Sequence, residues 1–118
     1  VYKIDMDTDK LIGILDVPDA YESQNINGWP CSCLSGVVLS SSKDKLFIVS
    51  SDAHSMFTYD LMQSVWGTKI TNLKGYFNTD AISSSDRQYL YTVNHQTDSV
   101  TMVNLTSGDV VRIIRLEK

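Results

Sequence analysis

Two histidines and two aspartates occupy short polar segments that each follow a strongly apolar run. Asp52 and His54 follow one run, and His95 and Asp98 follow the next. An imidazole beside a carboxylate can bind a metal ion or transfer protons, so these four side chains are candidates for a metal or acid/base site. Their spacing matches no metal-ligand motif. We therefore expect no metal. The alternative to an acid/base site is that these side chains simply belong to ordinary polar loops.

Both cysteines of the chain, Cys31 and Cys33, lie either side of a single serine. A disulfide between them would close a very tight ring and store strain. Pairing with cysteines outside this sequence, free thiols and a partial metal site all stay open. A structural zinc site would need four ligands in recognisable pairs. We expect free or externally paired loop cysteines and no bound cofactor.

Composition and motifs exclude several other classes of function. The net charge is −4 and the ten Lys and Arg residues are scattered, which argues against binding nucleic acid. No apolar run approaches the roughly 20 residues that span a bilayer. No glycine-rich phosphate loop and no Gly-x-Ser-x-Gly nucleophile motif is present. The serines of 40–42 and 83–85 are typical of turns.

An internal repeat organises the elements that carry these side chains. The run Leu46–Ser50 is similar to Leu90–Asn94, and this offset of 44 residues (46 to 90) continues without a gap from Ser40/Ser84 to Ile70/Ile114. A third, partial copy opens the chain, where Asp5 aligns with Asp60 at an offset of 55. The 11 additional residues fall in the loop-like stretch that contains both cysteines. Such a period is typical of repeat architectures.

Each full repeat reads as four short strands separated by polar turns. β-branched and aromatic residues dominate the runs, and no helical periodicity is sustained. The run Leu46–Val49 is apolar on both faces, so it needs a neighbour on each side. The last run, Val110–Leu116, mixes charge with apolar residues, as a partly wet edge strand does. The predicted strands are 36–39, 46–50, 56–61, 65–70, 81–83, 89–94, 100–105 and 110–116.

This pattern resembles the YVTN-type, WD40-like β-propeller repeat. Leu90–Asn94 is close to the strand that gives the family its name, and Val103–Val111 is similar to its third strand, hairpin turn and fourth strand. The Pro-Asp-Gly of the family's first turn is absent, with only Asp86 in place. The resemblance implies an all-β propeller fragment with two four-stranded antiparallel blades and the outer half of a preceding blade.

Propellers close about four to eight blades into a ring, so the expected ten strands need the remaining blades of the same propeller or other chains that complete it. A fragment of a longer protein is the favoured interpretation. The predicted division of the single propeller domain is outer strands of a partial blade at 1–17, a long inter-blade loop at 18–35, and blades at 36–79 and 80–118.

The resemblance also indicates where a ligand would bind. Loops from strand two to strand three, and from strand four to the next blade, share one end of the propeller. An aromatic binding surface there competes with the alternative that its aromatic residues cover an inter-blade seam. The ligand-face candidates are Asp52, His54, Asn94, His95, Asp98, Trp29, Tyr76 and Phe77.

One modification signal bears on the compartment. Asn104-Leu105-Thr106 satisfies the N-glycosylation pattern, but it coincides with the Asp60-Leu61 ending of the other repeat. A glycan would indicate a secreted protein and would agree with externally paired cysteines.

The sequence favours a non-catalytic propeller segment that acts as a binding or assembly scaffold for a protein partner. Two alternatives stay open, because the fold does not decide the function. The first is part of a lactonase-like or quinoprotein-dehydrogenase-like enzyme with its site on the face bearing both histidines. The second is a structural subunit of an extracellular assembly.

Overall fold

A computed structural model describes residues 1–17, 34–51, 54–70, 73–74 and 78–117. Within those ranges the chain forms ten strands, one short 3-10 turn and no α-helix, and no helix there could cross a membrane. The strands are β1 (Tyr2–Asp5), β2 (Lys10–Ile14), β3 (Leu34–Leu39), β4 (Lys45–Ser50), β5 (Ser55–Asp60), β6 (Val65–Trp66), β7 (Asn78–Ser83), β8 (Tyr89–Asn94), β9 (Ser99–Asn104) and β10 (Val110–Arg115).

The strands form three antiparallel sheets in chain order. β1 and β2 make a two-stranded hairpin, here called the partial blade. β3 to β6 make the four-stranded first blade, and β7 to β10 make the four-stranded second blade. The predicted all-β architecture of two full blades and the outer half of another is therefore confirmed.

Several strand ends differ from the sequence prediction. β3 begins at Leu34 and β7 at Asn78, because irregular registers extend each innermost strand to pair with the end of its neighbour. The predicted fourth strand of the first blade is interrupted after Trp66. Its chain returns to the sheet at Ile70, whose backbone forms an isolated bridge with Met56.

Each full blade has two faces, and each face meets a different neighbour. On the first blade, Ile48 and Phe57 are paired across β4 and β5 and pack with Val17 after the partial blade. We call this side of a blade its upstream face. The opposite, downstream face presents Val49 and Met56 to the second blade. Burial on both sides explains why β4 lacks the alternation of polar and apolar residues.

The seam between the full blades is a continuous apolar core. The downstream face of the first blade packs against Leu90 and Val103, which lie on the upstream face of the second. Both of those side chains and Leu73, from the inter-blade connection, are fully buried. At the opposite edge of the seam, Arg87 donates a hydrogen bond from Nη1 to the Ser40 carbonyl at 3.3 Å. Burial of apolar area is therefore the main attraction between the blades.

The innermost strands β3 and β7 approach each other closely at Gly36. A Cβ added to this glycine would lie 2.6 Å from the Ala81 Cβ and 2.7 Å from the Ala81 backbone nitrogen. Real Cβ atoms do not approach that closely, and the backbone of a central strand cannot move aside easily. Glycine at this position therefore lets the two blades meet.

The turns repeat along with the strands. Left-handed backbone conformations recur at the repeat offset in Lys43 and Arg87 (φ 60° and 54°), and again in Ser64 and Gly108 (φ 57° and 78°). Asp9, in the hairpin of the partial blade, has φ 52° at the position that corresponds to Ser64. The turns of the repeats thus have the same backbone conformation even where their residue types differ.

Candidate functional site

One end of the blades gathers the loops that carry His54, His95 and Asp98. The loop between β4 and β5 and the loop between β8 and β9 both lie there. Each loop accepts a backbone hydrogen bond from the segment that leaves its blade. The Leu73 amide donates to the His54 carbonyl, and the Leu116 amide donates to the Asp98 carbonyl, both at 2.8 Å. We call this region the loop end.

His54 and Asp98 occupy corresponding repeat positions at the loop end. Both have left-handed backbones, with φ 47° and 43°, and each immediately precedes the strand that follows its loop. His54 is half-buried and Asp98 is exposed. The two side chains therefore lie at one end of neighbouring blades, one as an imidazole and the other as a carboxylate.

His95 begins the 3-10 turn His95–Thr97, which leads from β8 into Asp98. Its side chain is exposed. Within the described ranges, no group of three or more His, Cys, Asp and Glu residues is arranged to hold a metal ion. Several predicted site residues lie outside the described residues: Trp29, Cys31, Cys33, Asp52, Tyr76 and Phe77.

Asn94 differs from the other candidates because it is buried in the seam, with 1% of its surface exposed. Its Oδ1 accepts a hydrogen bond from Asn78 Nδ2 at 2.5 Å. Its Nδ2 donates to the hydroxyls of Ser99 and Thr101 at 2.9 and 2.8 Å. The Thr101 hydroxyl in turn donates to the Leu73 carbonyl at 2.9 Å. Asn94 therefore ties two strands of the second blade to the connection from the first.

Sequence reasoning missed the other members of this polar cluster. Asn78, Thr92 and Thr101 are all fully buried on the upstream face of the second blade. A signal was present in the repeat alignment, since the corresponding residues of the first blade are the apolar Leu34, Ile48 and Phe57. A polar residue that replaces an apolar one at a buried repeat position needs a hydrogen-bond partner.

Carboxylates at the opposite end of the blades close turns. Asp44 accepts hydrogen bonds from the hydroxyls of Ser42 and Ser40, the latter at 2.8 Å, and Asp86 accepts one from Ser84 at 2.5 Å. These hydroxyl donors stabilise the charged form and lower the pKa of both aspartates below the ordinary 3.8. The serine-rich segments there form turns, as predicted.

Asn104, the predicted glycosylation site, also closes a turn. Its Oδ1 accepts backbone N–H groups of Thr106 and Ser107 at 2.8 and 3.0 Å. Asp60 makes the corresponding pair of bonds in the first blade, and Asp5 does so in the partial blade. The conformation of this hairpin is thus explained without a glycan, and glycosylation stays a prediction.

Comparison with solved structures identifies the class of fold. The chain is similar to the dihydro-heme d1 dehydrogenase NirN (TM-score 0.67, 15% identity, 98% of this chain and 22% of that one). It is also similar to the RRP9 WD40 repeats (TM-score 0.62, 13% identity, 72% and 26%). A putative 6-phosphogluconolactonase from Bacteroides uniformis gives a TM-score of 0.62 at 12% identity, with 99% and 36% covered.

The described sheets are therefore blades of a β-propeller. Neither a protein-family model nor a curated protein matches the sequence. The chain spans between 22% and 36% of the length of these three structures, so a ring of their kind needs further blades.

Proposed function

We propose that the chain is a non-catalytic part of a larger β-propeller that acts as a scaffold for assembly with other proteins. The observation that carries this proposal is a difference in exposure between corresponding residues. Val38 and Val49, on the downstream face of the first blade, are 6% and 0% exposed. Their counterparts in the second blade, Ile82 and Val93, are 69% and 45% exposed.

The upstream side supports the same interpretation. Val37 pairs with Ile48 and is 47% exposed, whereas its counterpart Ala81 lies half-buried against the first blade. The described part of the partial blade consists of β1 and β2, which correspond to the outer strands of a blade. Inner strands at that position would cover Val37. Apolar surface thus faces outward on both flanks, at the positions where a propeller places neighbouring blades.

Protein binding is proposed for the loop end. His95 and Asp98 are exposed there on the short connection between β8 and β9, whose ladder has no register shift, so a continuous sheet presents polar side chains to a partner. At the opposite end of the blades, the polar groups that the repeats share are engaged in closing turns. We therefore propose the loop end, rather than the turn end, as the surface that meets the partner.

The assembly proposal is tested by placing a charge on the downstream face of the intact protein. Val93→Asp should reduce the unfolding midpoint strongly, because a carboxylate would be buried against the next blade. Val111→Asp is the matched control, since Val111 is 53% exposed on the outermost strand β10. Equal tolerance of both substitutions in the intact protein would show that no blade covers this face.

An enzyme of the lactonase or quinoprotein-dehydrogenase kind is the second candidate. It is supported by the corresponding placement of His54 and Asp98 at the loop end, which sets an imidazole and a carboxylate on adjacent blades. The intact protein would be assayed for hydrolysis of a sugar lactone and for reduction of a dye acceptor. Turnover that is lost in His54→Ala would establish this candidate and refute the scaffold.

The third candidate, a structural subunit of an extracellular assembly, depends on Asn104. Intact mass and peptide mapping of the protein from a secreting eukaryotic host would reveal a glycan on this residue. Asn104→Asp is the suitable control variant, because Asp60 shows that aspartate closes the same turn. A glycan at Asn104 would favour this candidate, and an unmodified peptide from that host would remove its support.

A further inference from the structure

We propose that the polar cluster on the upstream face of the second blade binds one internal water molecule between Asn78 and Thr92. Two oxygen atoms carry this proposal. Asn78 Oδ1 and Thr92 Oγ1 belong to fully buried residues, and neither forms a hydrogen bond with the part of the protein that the structure describes. Buried polar atoms are normally satisfied by protein or by ordered water.

The two atoms lie on the same face of the same pair of strands. Asn78 is directly opposite Asn94 in the ladder of β7 and β8, and Thr92 is two residues from Asn94. Thr92 is opposite Ala81, and the register shifts between Asn78 and Ala81. In a regular ladder, diagonal neighbours have Cα atoms about 7 to 8 Å apart, within reach of side chains that extend towards each other. One water with two hydrogen bonds of about 2.8 Å bridges such a gap.

The chemistry of the pair suits water in particular. Asn78 Oδ1 can only accept, because an amide oxygen carries no hydrogen, and the Nδ2 of the same amide already donates to Asn94 Oδ1. Thr92 Oγ1 can donate and accept. A water molecule can donate one hydrogen to the amide oxygen and use its other hydrogen or its lone pair with the hydroxyl. A metal cation is disfavoured, since no carboxylate among the described residues belongs to this cluster.

Comparison of the repeats shows that the side chains at this seam are smaller than those at the corresponding positions of the first blade. The first blade has Ile48 and Phe57 at the positions of Thr92 and Thr101, and those large side chains are buried. Thr92 faces Ala81 across the ladder, so both members of that pair are small. Internal waters occupy such polar sites, where they bond to about three otherwise unsatisfied groups.

A crystal structure of the intact protein at high resolution tests the proposal directly. We expect density for one water within hydrogen-bond distance of both oxygens, and loss of that density in Thr92→Val, which keeps the shape and removes the hydroxyl. Thr101→Val is the matched control. It removes a hydroxyl with protein partners, so the water should remain.

A second measurement covers a variant that fails to crystallise. Nuclear Overhauser transfer from water to the Asn78 side-chain amide should be present in the wild type and in Thr101→Val, and absent in Thr92→Val. A direct hydrogen bond between the Thr92 hydroxyl and Asn78 Oδ1, with no water at the site, would overturn the proposal. Water density that persists unchanged in Thr92→Val would also overturn it.

Discussion

The two full blades share a backbone but differ in the chemistry of their upstream faces. Left-handed residues recur at corresponding positions, as in Lys43 and Arg87 or His54 and Asp98. Yet the first blade buries Ile48 where the second buries Thr92. Turns and ladder hydrogen bonds therefore set the shape of a blade, whereas the buried side chains decide how one blade adheres to the next.

Because of this difference, we expect the largest change in stability when Ile48 and Thr92 are each replaced by the residue of the other blade. Ile48→Thr should reduce the free energy of unfolding by about 3 kcal/mol, because it removes buried apolar groups and adds a buried hydroxyl at a site that has apolar neighbours. Thr92→Ile should cost less, about 1 kcal/mol, through overpacking. Urea denaturation measures both. Equal costs would mean that the two seams do not differ in packing.

A substitution at Gly36 tests the close approach of the innermost strands β3 and β7. Gly36→Ala should cost about 2 kcal/mol or more, because the new methyl group would clash with the backbone nitrogen of Ala81. Gly13→Ala is the matched control. Its Cβ would lie 3.9 Å from the nearest atom, the Lys3 Cβ, so little change is expected. Thermal unfolding compares the two variants, and a neutral Gly36→Ala would contradict the close approach of the blades.

The hairpin turns test whether asparagine and aspartate are interchangeable between repeats. Asn104→Ala should cost about 1 kcal/mol, because two backbone N–H groups of the turn lose their acceptor. Asn104→Asp should be close to neutral, since Asp60 makes the same two bonds. Chemical denaturation of both variants measures the difference. Similar costs for alanine and aspartate would show that the side-chain oxygen does not stabilise the turn.

The smallest predicted effect concerns the turn aspartates and acid. Because hydroxyl donors lower the pKa of Asp44 and Asp86 in the folded chain, the folded state binds fewer protons than the unfolded state near pH 3.8. Their stabilisation is therefore present above that pH and is lost as the pH falls through the lowered pKa values. Asp86 is exposed and Asp44 only half-buried, so solvent screening keeps the effect small.

Urea midpoints measured between neutral pH and acid check this sign. The double variant Asp44→Asn and Asp86→Asn should lose less stability on acidification than the wild type. Ser84→Ala should reproduce part of this change, because it removes the hydroxyl that donates to Asp86. If the urea midpoint falls equally with decreasing pH in the wild type and the double variant, the proposed cause is refuted.

Much of the fold could be predicted from the sequence because the repeat offset aligns strands and turns together. Apolar residues on both faces of β4 correctly indicated a sheet covered on two sides. The starts of β3 and β7 could not be predicted, since they depend on irregular registers that bring Leu34 opposite Ser50 and Asn78 opposite Asn94. Hydrophobic alternation does not specify such shifts.

The candidate site was less predictable than the fold. The structure has His54, His95 and Asp98 at one end of the blades, and their role as a ligand site stays a prediction. Asn94 was grouped with them because it ends a strand beside a polar loop, but its amide points into the seam and bonds with Ser99 and Thr101. A polar residue at a strand end can face either solvent or core. Which of the two it faces depends on how the neighbouring blade packs against its own.

The oxygen atoms that close the turns have a consequence for how such a chain can change during evolution. Asp5, Asp60 and Asn104 each bond to amides two and three residues away. A hairpin therefore carries its own stabilising contacts when the surrounding sequence is duplicated or exchanged. Insertions, such as the 11 extra residues between the partial and first blades, can accumulate in the connections while the hairpins keep their length.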